Sequence, residues 1–246
     1  MKVSICIGIY GGPKSRDGKS IGKWDIYLDR LLSSIEWQTY KNIEVVISDQ
    51  SIDDKMLDII HKWKEELNIK YYKCEAKYGE YGINYNNTIS KSTGDIIKII
   101  HQDDYFYDKE AIEIIVNEMK ANPDKMWGFH ICINVNESEN EFYIELENPH
   151  YHDGILYGSN SIGSPSNIFI RNCENIELMD EALWELIDCE YYYRLNHKYG
   201  SPIFIKQPLV TNRVHNDAFS SDWNERYEIT EKEKRYIKDK YAQNSI

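Results

Sequence analysis

The amino-acid sequence predicts an α/β fold with an open, mostly parallel sheet and helices on both faces. Short β-rich runs alternate with segments of helical periodicity over residues 1–104, and this alternation favours βαβ units. The first run, residues 3–9, is too apolar for a half-exposed strand, which indicates a strand buried on both faces. Ligands of such sheets bind beyond the carboxyl ends of the strands, so functional residues are expected just after Ile9, Ile47 and Ile100.

Apolar spacing and capping residues set the order of elements in this first half. Asp53 and Asp54 can cap a helix that starts at residue 55, because short polar side chains accept hydrogen bonds from the first amides of a helix. Gly94 is expected to stop a later helix. The pattern predicts strands at 3–9, 43–47, 70–74 and 95–100, alternating with helices at 26–35, 55–67 and 85–92.

The pattern is less regular from residue 105 onward. Asp108 can cap a helix over residues 111–119. Further runs predict strands at 129–135 and 167–170 and a helix at 187–199. We interpret the chain as a ligand-binding half, a second half that shares the same core, and a charged helical tail, over residues 1–104, 105–222 and 223–246.

Composition excludes several classes of protein. With 246 residues, 41% of them apolar, the chain can bury a core and is not disordered. No apolar run is long enough to span a bilayer or to serve as a signal peptide, so we expect a cytoplasmic location. The five cysteines are scattered without a C-x-x-C pair, which argues against a disulfide framework and a zinc site. The net charge of −12, without a long basic run, argues against nucleic acid as a partner.

Two adjacent carboxylates, Asp103 and Asp104, directly follow the apolar run that ends at Ile100. Such a pair at a strand end can bind a hard cation such as Mg²⁺ or Mn²⁺, which prefers oxygen ligands and completes its shell with phosphates and water. Adjacent aspartates are also common in solvated turns, so the pair alone permits either interpretation. His101 precedes them and is more often a packed, hydrogen-bonded side chain than a ligand.

A further carboxylate, Asp49, follows the second predicted strand. An Asx turn that starts the next helix would account for Ser51 and Asp53 but would leave Asp49 without a capping role. Asp49 is therefore a second candidate for ligand binding at the same edge of the sheet.

Four segments, spaced in order over the first 104 residues, resemble those of family 2 glycosyltransferases. These enzymes have the GT-A fold, a Rossmann-like α/β fold. The run from Ser34 to Asp49 looks like the family's helix, Gln38-Thr39-Tyr40 turn and second strand. The other three are residues 3–10, 86–94 and 101–104. The resemblance implies that the first half binds a nucleoside-diphosphate sugar and that the second half binds the acceptor.

The resemblance also implies roles for individual residues. The turn of Gly8, Ile9 and Tyr10 would embrace the nucleobase together with Asp49, whose carboxylate would accept a hydrogen bond from the base. Asp103 would hold the ribose or the donor sugar, and Asp104 would bind the Mn²⁺ or Mg²⁺ ion that bridges the diphosphate. Asn86 is placed among the donor-binding residues. The sequence departs from the family at Gly8-Ile9, where Pro-Thr is usual, and at His101, where Asp is usual.

In the second half, residues 186–195 resemble the family's Glu-Asp region and its aromatic helix. The match implies that Asp188 is the general base, with Glu190 two positions later and Ile187 in place of the usual Glu. Asp188 could also simply cap the helix that follows, and the two roles are compatible.

Residues 211–217 resemble the family's late R-x-H segment. This match implies that His215 joins the metal or diphosphate site and that Arg213 neutralises phosphate charge. An isolated surface histidine is the alternative for His215. Residues 163–166 resemble the entry to an acceptor-side strand, although a Gly/Pro turn explains them equally well.

The implied reaction is metal-assisted, inverting transfer of a sugar from a nucleoside diphosphate, with UDP favoured, to a glycan or lipid-linked glycan acceptor in surface polysaccharide synthesis. A catalytically weak nucleotide-sugar-binding protein is one alternative, favoured by Ile187. A sugar nucleotidyltransferase is another, suggested by the loop at residues 11–18. The tail mixes basic residues with aromatic ones and could contact a membrane peripherally or form a solvated terminal helix; its aromatic residues are Trp223, Tyr227, Tyr236 and Tyr241.

Overall fold

The computed structural model describes residues 1–11, 23–77, 80–136, 141–143, 148–215 and 223–242. The helices are α1 (Trp24–Glu36), α2 (Lys55–Trp63), α3 (Tyr81–Lys91), α4 (Ala111–Ala121), α5 (Ile187–Tyr199) and α6 (Trp223–Ala242). The strands are β1 (Val3–Ile9), β2 (Ile43–Asp49), β3 (Ile69–Lys73), β4 (Ile96–Ile99), β5 (Tyr105–Phe106), β6 (Trp127–Asn136), β7 (Glu141–Tyr143), β8 (Ile168–Arg171) and β9 (Ile203–Val214). Short 3₁₀ helices cover Asp153–Tyr157 and Pro165–Asn167.

All strands of the described residues belong to one sheet, in the order β3-β2-β1-β4-β8-β6-β9-β5, with β7 paired to β6. The pairs within β3-β2-β1-β4 are parallel, as is the long pair of β6 with β9. Strand β8 joins the two regions through antiparallel pairs with β4 and β6. The predicted α/β fold with a mostly parallel sheet is therefore confirmed.

Two apolar clusters lie on opposite faces of the sheet, because successive side chains of a strand point to opposite sides. Alternate residues of β1, from Val3 to Ile9, pack with α1, α2 and α4. Cys6 and strand β4 residues Ile97 and Ile99 pack on the other face with α3, α5 and α6. Helices thus cover both faces of the sheet, as expected.

Two helix boundaries differ most from the prediction, and one predicted capping bond is absent. Helix α2 ends at Trp63, where the carbonyl of Trp63 accepts from both Glu66 and Leu67 in a turn. Helix α3 begins at Tyr81 although Gly82 reads as a helix breaker in the sequence. A Cβ at Gly82 would lie 3.0 Å from the Cα atom of Glu181, so close packing explains this glycine. The side chain of Asp54 makes no capping hydrogen bond.

Helix α6, predicted as a charged tail, packs against the body of the protein. Ile237 is fully buried in the second cluster, and Lys240 bonds Asp180 and Glu190 at 2.6 and 2.8 Å. Tyr227, by contrast, is 62% exposed. Within the described ranges, no helix has the length and apolar character needed to cross a membrane.

The two predicted halves share one continuous sheet. Strand β5, immediately after residue 104, pairs with β9 near the end of the second half. The division at residues 104 and 222 itself stays a prediction.

Candidate functional site

Gln102 joins the ends of the first and fourth strands. Its Oε1 accepts from the Tyr10 amide at 2.7 Å, and its Nε2 donates to the Tyr10 carbonyl at 3.1 Å. The same amide nitrogen donates to the carbonyl of Trp24 at 3.2 Å. The turn containing Tyr10 is therefore fixed beside the Asp103-Asp104 turn, as the parallel-sheet argument predicts. The role of Gln102 itself was not predicted from the sequence.

Gly8 and Ile9 have structural reasons for their identity. A Cβ at Gly8 would lie 3.1 Å from Asn84 Nδ2 and 3.3 Å from the Tyr85 ring, so a side chain there would displace α3. The Ile9 side chain is buried in the core, while its carbonyl accepts from the Gln50 amide and Asn84 Nδ2. A nucleobase contact at these two positions would therefore use the backbone. That contact remains a prediction.

Asp49 is buried, and its carboxylate already has protein partners. Its Oδ1 accepts from the Ser51 amide at 2.7 Å, which is an Asx-type bond. The sequence had indicated no such bond for Asp49. Its Oδ2 accepts from the Tyr71 hydroxyl at 2.8 Å and lies 3.6 Å from Lys73 Nζ. Burial and the Asp49 carboxylate raise the pKa of Tyr71. Asp49 thus shapes the strand end, and its bond to a nucleobase stays a prediction.

Asn86 connects α3 to the segment before α5. Its Nδ2 donates to the Met179 carbonyl at 2.9 Å and to Glu181 Oε1 at 3.0 Å, and its Oδ1 accepts from the Met179 amide at 2.8 Å. These bonds give Asn86 a structural role. Its predicted part in donor binding is not tested by them.

Asp103 and Asp104 have opposite environments. Asp104 is 1% exposed and accepts from Ser166 Oγ at 2.5 Å and from the Arg213 amide at 3.0 Å. Burial, with the neighbouring Asp103 charge, raises the pKa of Asp104 to about 8. Burial also opposes ionisation of Asp103, but a 3.0 Å hydrogen bond from His215 outweighs it and lowers the pKa of Asp103.

His101, Asp103 and Asp104 can each offer a ligand atom, and these atoms lie within 4.8 Å of one another. Burial and the charge of Asp103 raise the pKa of Asp104. A bound cation would stabilise the ionised form of this carboxyl, so the three residues fit a cation site. The imidazole suits Mn²⁺ better than Mg²⁺. The sequence predicted Asp104 with His215 as ligands, whereas the structure adds His101 to the group and bonds His215 to Asp103.

Arg213 and His215 form a support behind this group. The Arg213 guanidinium lies 4.4 Å from the Tyr27 ring centroid, and its Nε donates to the Asp103 carbonyl at 2.9 Å. The His215 ring packs 4.7 Å from that of Tyr27, so His215 is not an isolated surface histidine. Both side chains hold the Asp103-Asp104 turn, and phosphate binding by Arg213 remains a prediction.

A buried lysine lies beneath the site. Lys98 Nζ donates to the carbonyl of Ser166 and, at 3.1 and 3.3 Å, to those of Ile99 and Ile168. Burial lowers the pKa of Lys98 to about 7. Lys98 thereby fixes Ser166, whose hydroxyl bonds Asp104. A single lysine inside the apolar run of residues 96–100 was the sequence signal that could have revealed it.

Asp188 lies in the first turn of α5. Its Oδ1 accepts from the Cys189 amide at 2.7 Å, and its Oδ2 accepts from Asn160 Nδ2 at 2.8 Å. Burial raises the pKa of Asp188 to about 6. The bond to Cys189 satisfies an amide of the first turn, so a capping role is present. The raised pKa also suits a proton acceptor that works near neutral pH.

One short segment connects Asp188 to the acidic pair. Asn160, at its start, bonds Asp188. Ser166, at its end, donates to Asp104 and accepts from the His101 amide at 2.8 Å. Between them, Gly163 adopts a left-handed φ of 93°, which glycine tolerates best. Residues 160–166 therefore link two groups of candidate residues that are more than eighty positions apart in the chain.

Glu190, the carboxylate two positions after Asp188, is held by other partners. Its Oε1 accepts from Arg194 Nε, Lys240 Nζ and Tyr241 Oη at 2.8 Å each. These bonds anchor α6 to α5, so Glu190 is occupied as a structural acceptor.

Residues 26–177, more than half of the chain, match Glycosyl transferase family 2. The chain therefore belongs to family 2 of the glycosyltransferases, and its architecture is the GT-A fold.

Among curated proteins, it is similar to the poly(ribitol-phosphate) beta-N-acetylglucosaminyltransferase TarS of Staphylococcus aureus strains Mu50 and MW2. The identity is 27% over 134 residues, which cover 49% of this chain and 21% of each relative. The chain thus spans about a fifth of the length of these relatives.

Two solved structures show the same fold. S. aureus TarS 1-349 in complex with UDP-GlcNAc has a TM-score of 0.69 at 19% identity, covering 93% of this chain and 64% of that one. The mannosyltransferase PcManGT from Pyrobaculum calidifontis, in complex with GDP-Man and Mn²⁺, has a TM-score of 0.64 at 14% identity. This match covers 92% of this chain and 60% of that one.

Proposed function

We propose that this protein transfers a sugar from a nucleoside diphosphate to an acceptor hydroxyl, with inversion at the anomeric carbon and with the help of a divalent cation. The observation that carries the proposal is the pairing of two different acidic sites through residues 160–166. One site is the cluster of His101, Asp103 and Asp104. The other is the single carboxyl of Asp188, whose pKa of about 6 suits proton transfer.

The reaction requires one displacement. Asp188 accepts the proton of the acceptor hydroxyl as the oxygen forms a bond to the anomeric carbon. The bond from that carbon to the diphosphate breaks, and its electron pair leaves with the diphosphate. A single base without an enzymic nucleophile gives one displacement, and therefore inversion. A cation held by Asp104 with His101 and Asp103 would supply charge stabilisation to the diphosphate.

The relatives favour a UDP-sugar as donor and a polymeric acceptor. TarS has been solved with UDP-GlcNAc, and its name specifies poly(ribitol phosphate) as the acceptor. The mannosyltransferase was solved with GDP-Man, so the fold accepts either nucleotide. We propose UDP-GlcNAc as the first donor to assay and poly(ribitol phosphate) as the first acceptor, with UDP release as the signal.

Divalent cations are expected to strengthen UDP binding, because a cation held by Asp103 and Asp104 would attract the diphosphate in a protein whose net charge of −12 otherwise repels it. Calorimetric titration of UDP with Mn²⁺, with Mg²⁺ and with EDTA tests this expectation. GDP titrated in parallel shows which base is preferred. Equal UDP affinity with Mn²⁺ and with EDTA would contradict the role of the cation.

Two other functions were open from the sequence. Ile187, the departure that favoured a catalytically weak sugar-nucleotide-binding protein, is a core residue that packs against Gly82. Its position leaves the neighbouring Asp188 carboxylate available. The loop that suggested a nucleotidyltransferase lies outside the described residues apart from Gly11. UDP release from UDP-GlcNAc distinguishes the glycosyltransferase from both alternatives, and pyrophosphate release from UTP and a sugar phosphate would identify a nucleotidyltransferase.

Peripheral membrane contact at the cytoplasmic face, as an approach to a lipid-linked acceptor, is a further prediction from the aromatic and basic residues of α6. The exposed ring of Tyr227 is its best structural support. Sedimentation with phosphatidylglycerol vesicles should then pellet the full chain and leave more Tyr227→Ser protein in solution. A full chain that stays in solution would contradict this prediction. Truncation of α6 is unsuitable, because the helix contributes to the core.

A further inference from the structure

Helix α6 contacts the chain on both sides of Asp188. On the amino-terminal side, its residue Glu233 contacts the turn at residues 184–186. On the carboxyl-terminal side, Lys240 and Tyr241 bond Glu190 at 2.8 Å each. Lys240 also bonds Asp180 at 2.6 Å. The helix therefore holds a segment of about ten residues at both ends, and Asp188 lies within it.

Glu233 makes three hydrogen bonds to the turn before α5. Its side chain is 7% exposed, and its carboxylate accepts from three consecutive backbone amides. Oε1 accepts from Trp184 at 2.6 Å and from Glu185 at 3.3 Å, and Oε2 accepts from Leu186 at 2.8 Å. Buried backbone amides need acceptors, and this one carboxylate provides them for the whole turn.

These amides directly precede helix α5. Leu186 is the N-cap residue of α5, and its own side chain makes no capping hydrogen bond. Glu233 thus bonds, from a distant helix, the N-cap amide of α5, which in a capping box is bonded by the side chain of the third helical residue. Asp188 follows Leu186 by two positions, so the orientation of this turn sets where the Asp188 carboxylate and its bond to Asn160 are placed.

We propose that α6 holds the base-bearing turn in place and that Glu233 is a positioning residue for Asp188. The proposal rests on the function proposed above, in which Asp188 accepts the acceptor proton. It assigns the C-terminal helix a part in transfer that does not require contact with donor, acceptor or cation.

A double-mutant cycle on UDP release from UDP-GlcNAc, with Mn²⁺ and poly(ribitol phosphate), tests the proposal. Glu233→Gln keeps the size of the side chain but replaces one acceptor oxygen by a donor, which faces a backbone amide. In the wild-type background we expect kcat to fall by on the order of tenfold or more, because small displacements of a catalytic group are costly, while the affinity for UDP stays unchanged.

In the Asp188→Asn background the same substitution should lower the residual rate by no more than about twofold, because no base is left to position. A purely structural contribution would lower both rates by the same factor. Equal losses in the two backgrounds, or no loss in either, would overturn the proposal.

Glu231→Gln is the matched control, because it makes the same change on the same helix at a half-exposed residue. Glu231 pairs with Lys234 at 3.0 Å. It should leave kcat near the wild-type value. If Glu233→Gln does not fold, Glu233→Asp, which keeps the charge but shortens the reach, enters the same cycle. The Asp188→Asn step alone reports on the base, so failure of the base and failure of its positioning are distinguishable.

Discussion

Asp188→Asn is expected to reduce UDP release at least about 100-fold, while the affinity for UDP stays near the wild-type value. Asparagine keeps the acceptor for the Cys189 amide but cannot take a proton from the acceptor hydroxyl. Its amide would face Asn160 Nδ2, so the loss of one hydrogen bond should lower the melting temperature by a few degrees. Steady-state kinetics, UDP calorimetry and thermal unfolding measure the three effects.

The pH dependence of the wild-type rate follows from the same carboxyl. Burial raises the pKa of Asp188 to about 6, and only the ionised form can accept a proton. The rate should therefore be high above pH 6 and fall as the pH drops through 6.

Asp153→Asn, the same change at an exposed carboxyl, is the control for Asp188→Asn and should retain activity. If Asp188→Asn retains substantial activity, Asp188 is not the base and serves only as a helix cap.

Asp104→Asn is expected to remove the gain in UDP affinity that Mn²⁺ provides. Even an outer partner of a metal ligand typically contributes about 10- to 100-fold to metal affinity, so loss of a ligand should cost at least as much. The fold should tolerate the change. The pKa of Asp104 is raised to about 8, so without a cation the residue is largely protonated at pH 7 and similar in shape and charge to asparagine.

The measurement is UDP calorimetry with Mn²⁺ and with EDTA on Asp104→Asn, beside Asp108→Asn as a control for a nearby carboxyl. The Asp108 carboxylate accepts from the Glu110 amide, and this variant should keep the Mn²⁺ effect. An unchanged Mn²⁺ effect in Asp104→Asn would show that the cation binds elsewhere.

Local patterns predicted the scaffold of the site well. The apolar runs of β1 and β2 are buried strands, and their period determines which side chains face each layer of helices. Asp103 and Asp104 followed from the rule that strand ends of a parallel sheet carry ligands. The family resemblance added Asp188, which no periodicity or spacing could have singled out.

The contacts that organise the site were not predictable in the same way. Gln102 bonds Tyr10 across 92 positions, and Ser166 bonds Asp104 across 62. Glu233 bonds the turn at residues 184–186 across almost fifty. Each looks like an ordinary polar residue in its local sequence. Their roles depend on tertiary hydrogen bonds, which have no local period.

The central claim is that the cluster of His101, Asp103 and Asp104 holds the cation of a bound nucleoside diphosphate. Anomalous diffraction from crystals grown with UDP and Mn²⁺ tests it most directly. We expect a manganese peak within coordination distance of Asp104 and next to the diphosphate, with the uracil beside Tyr10 and Asp49. A manganese peak away from these three residues, or UDP bound elsewhere on the protein, would contradict it.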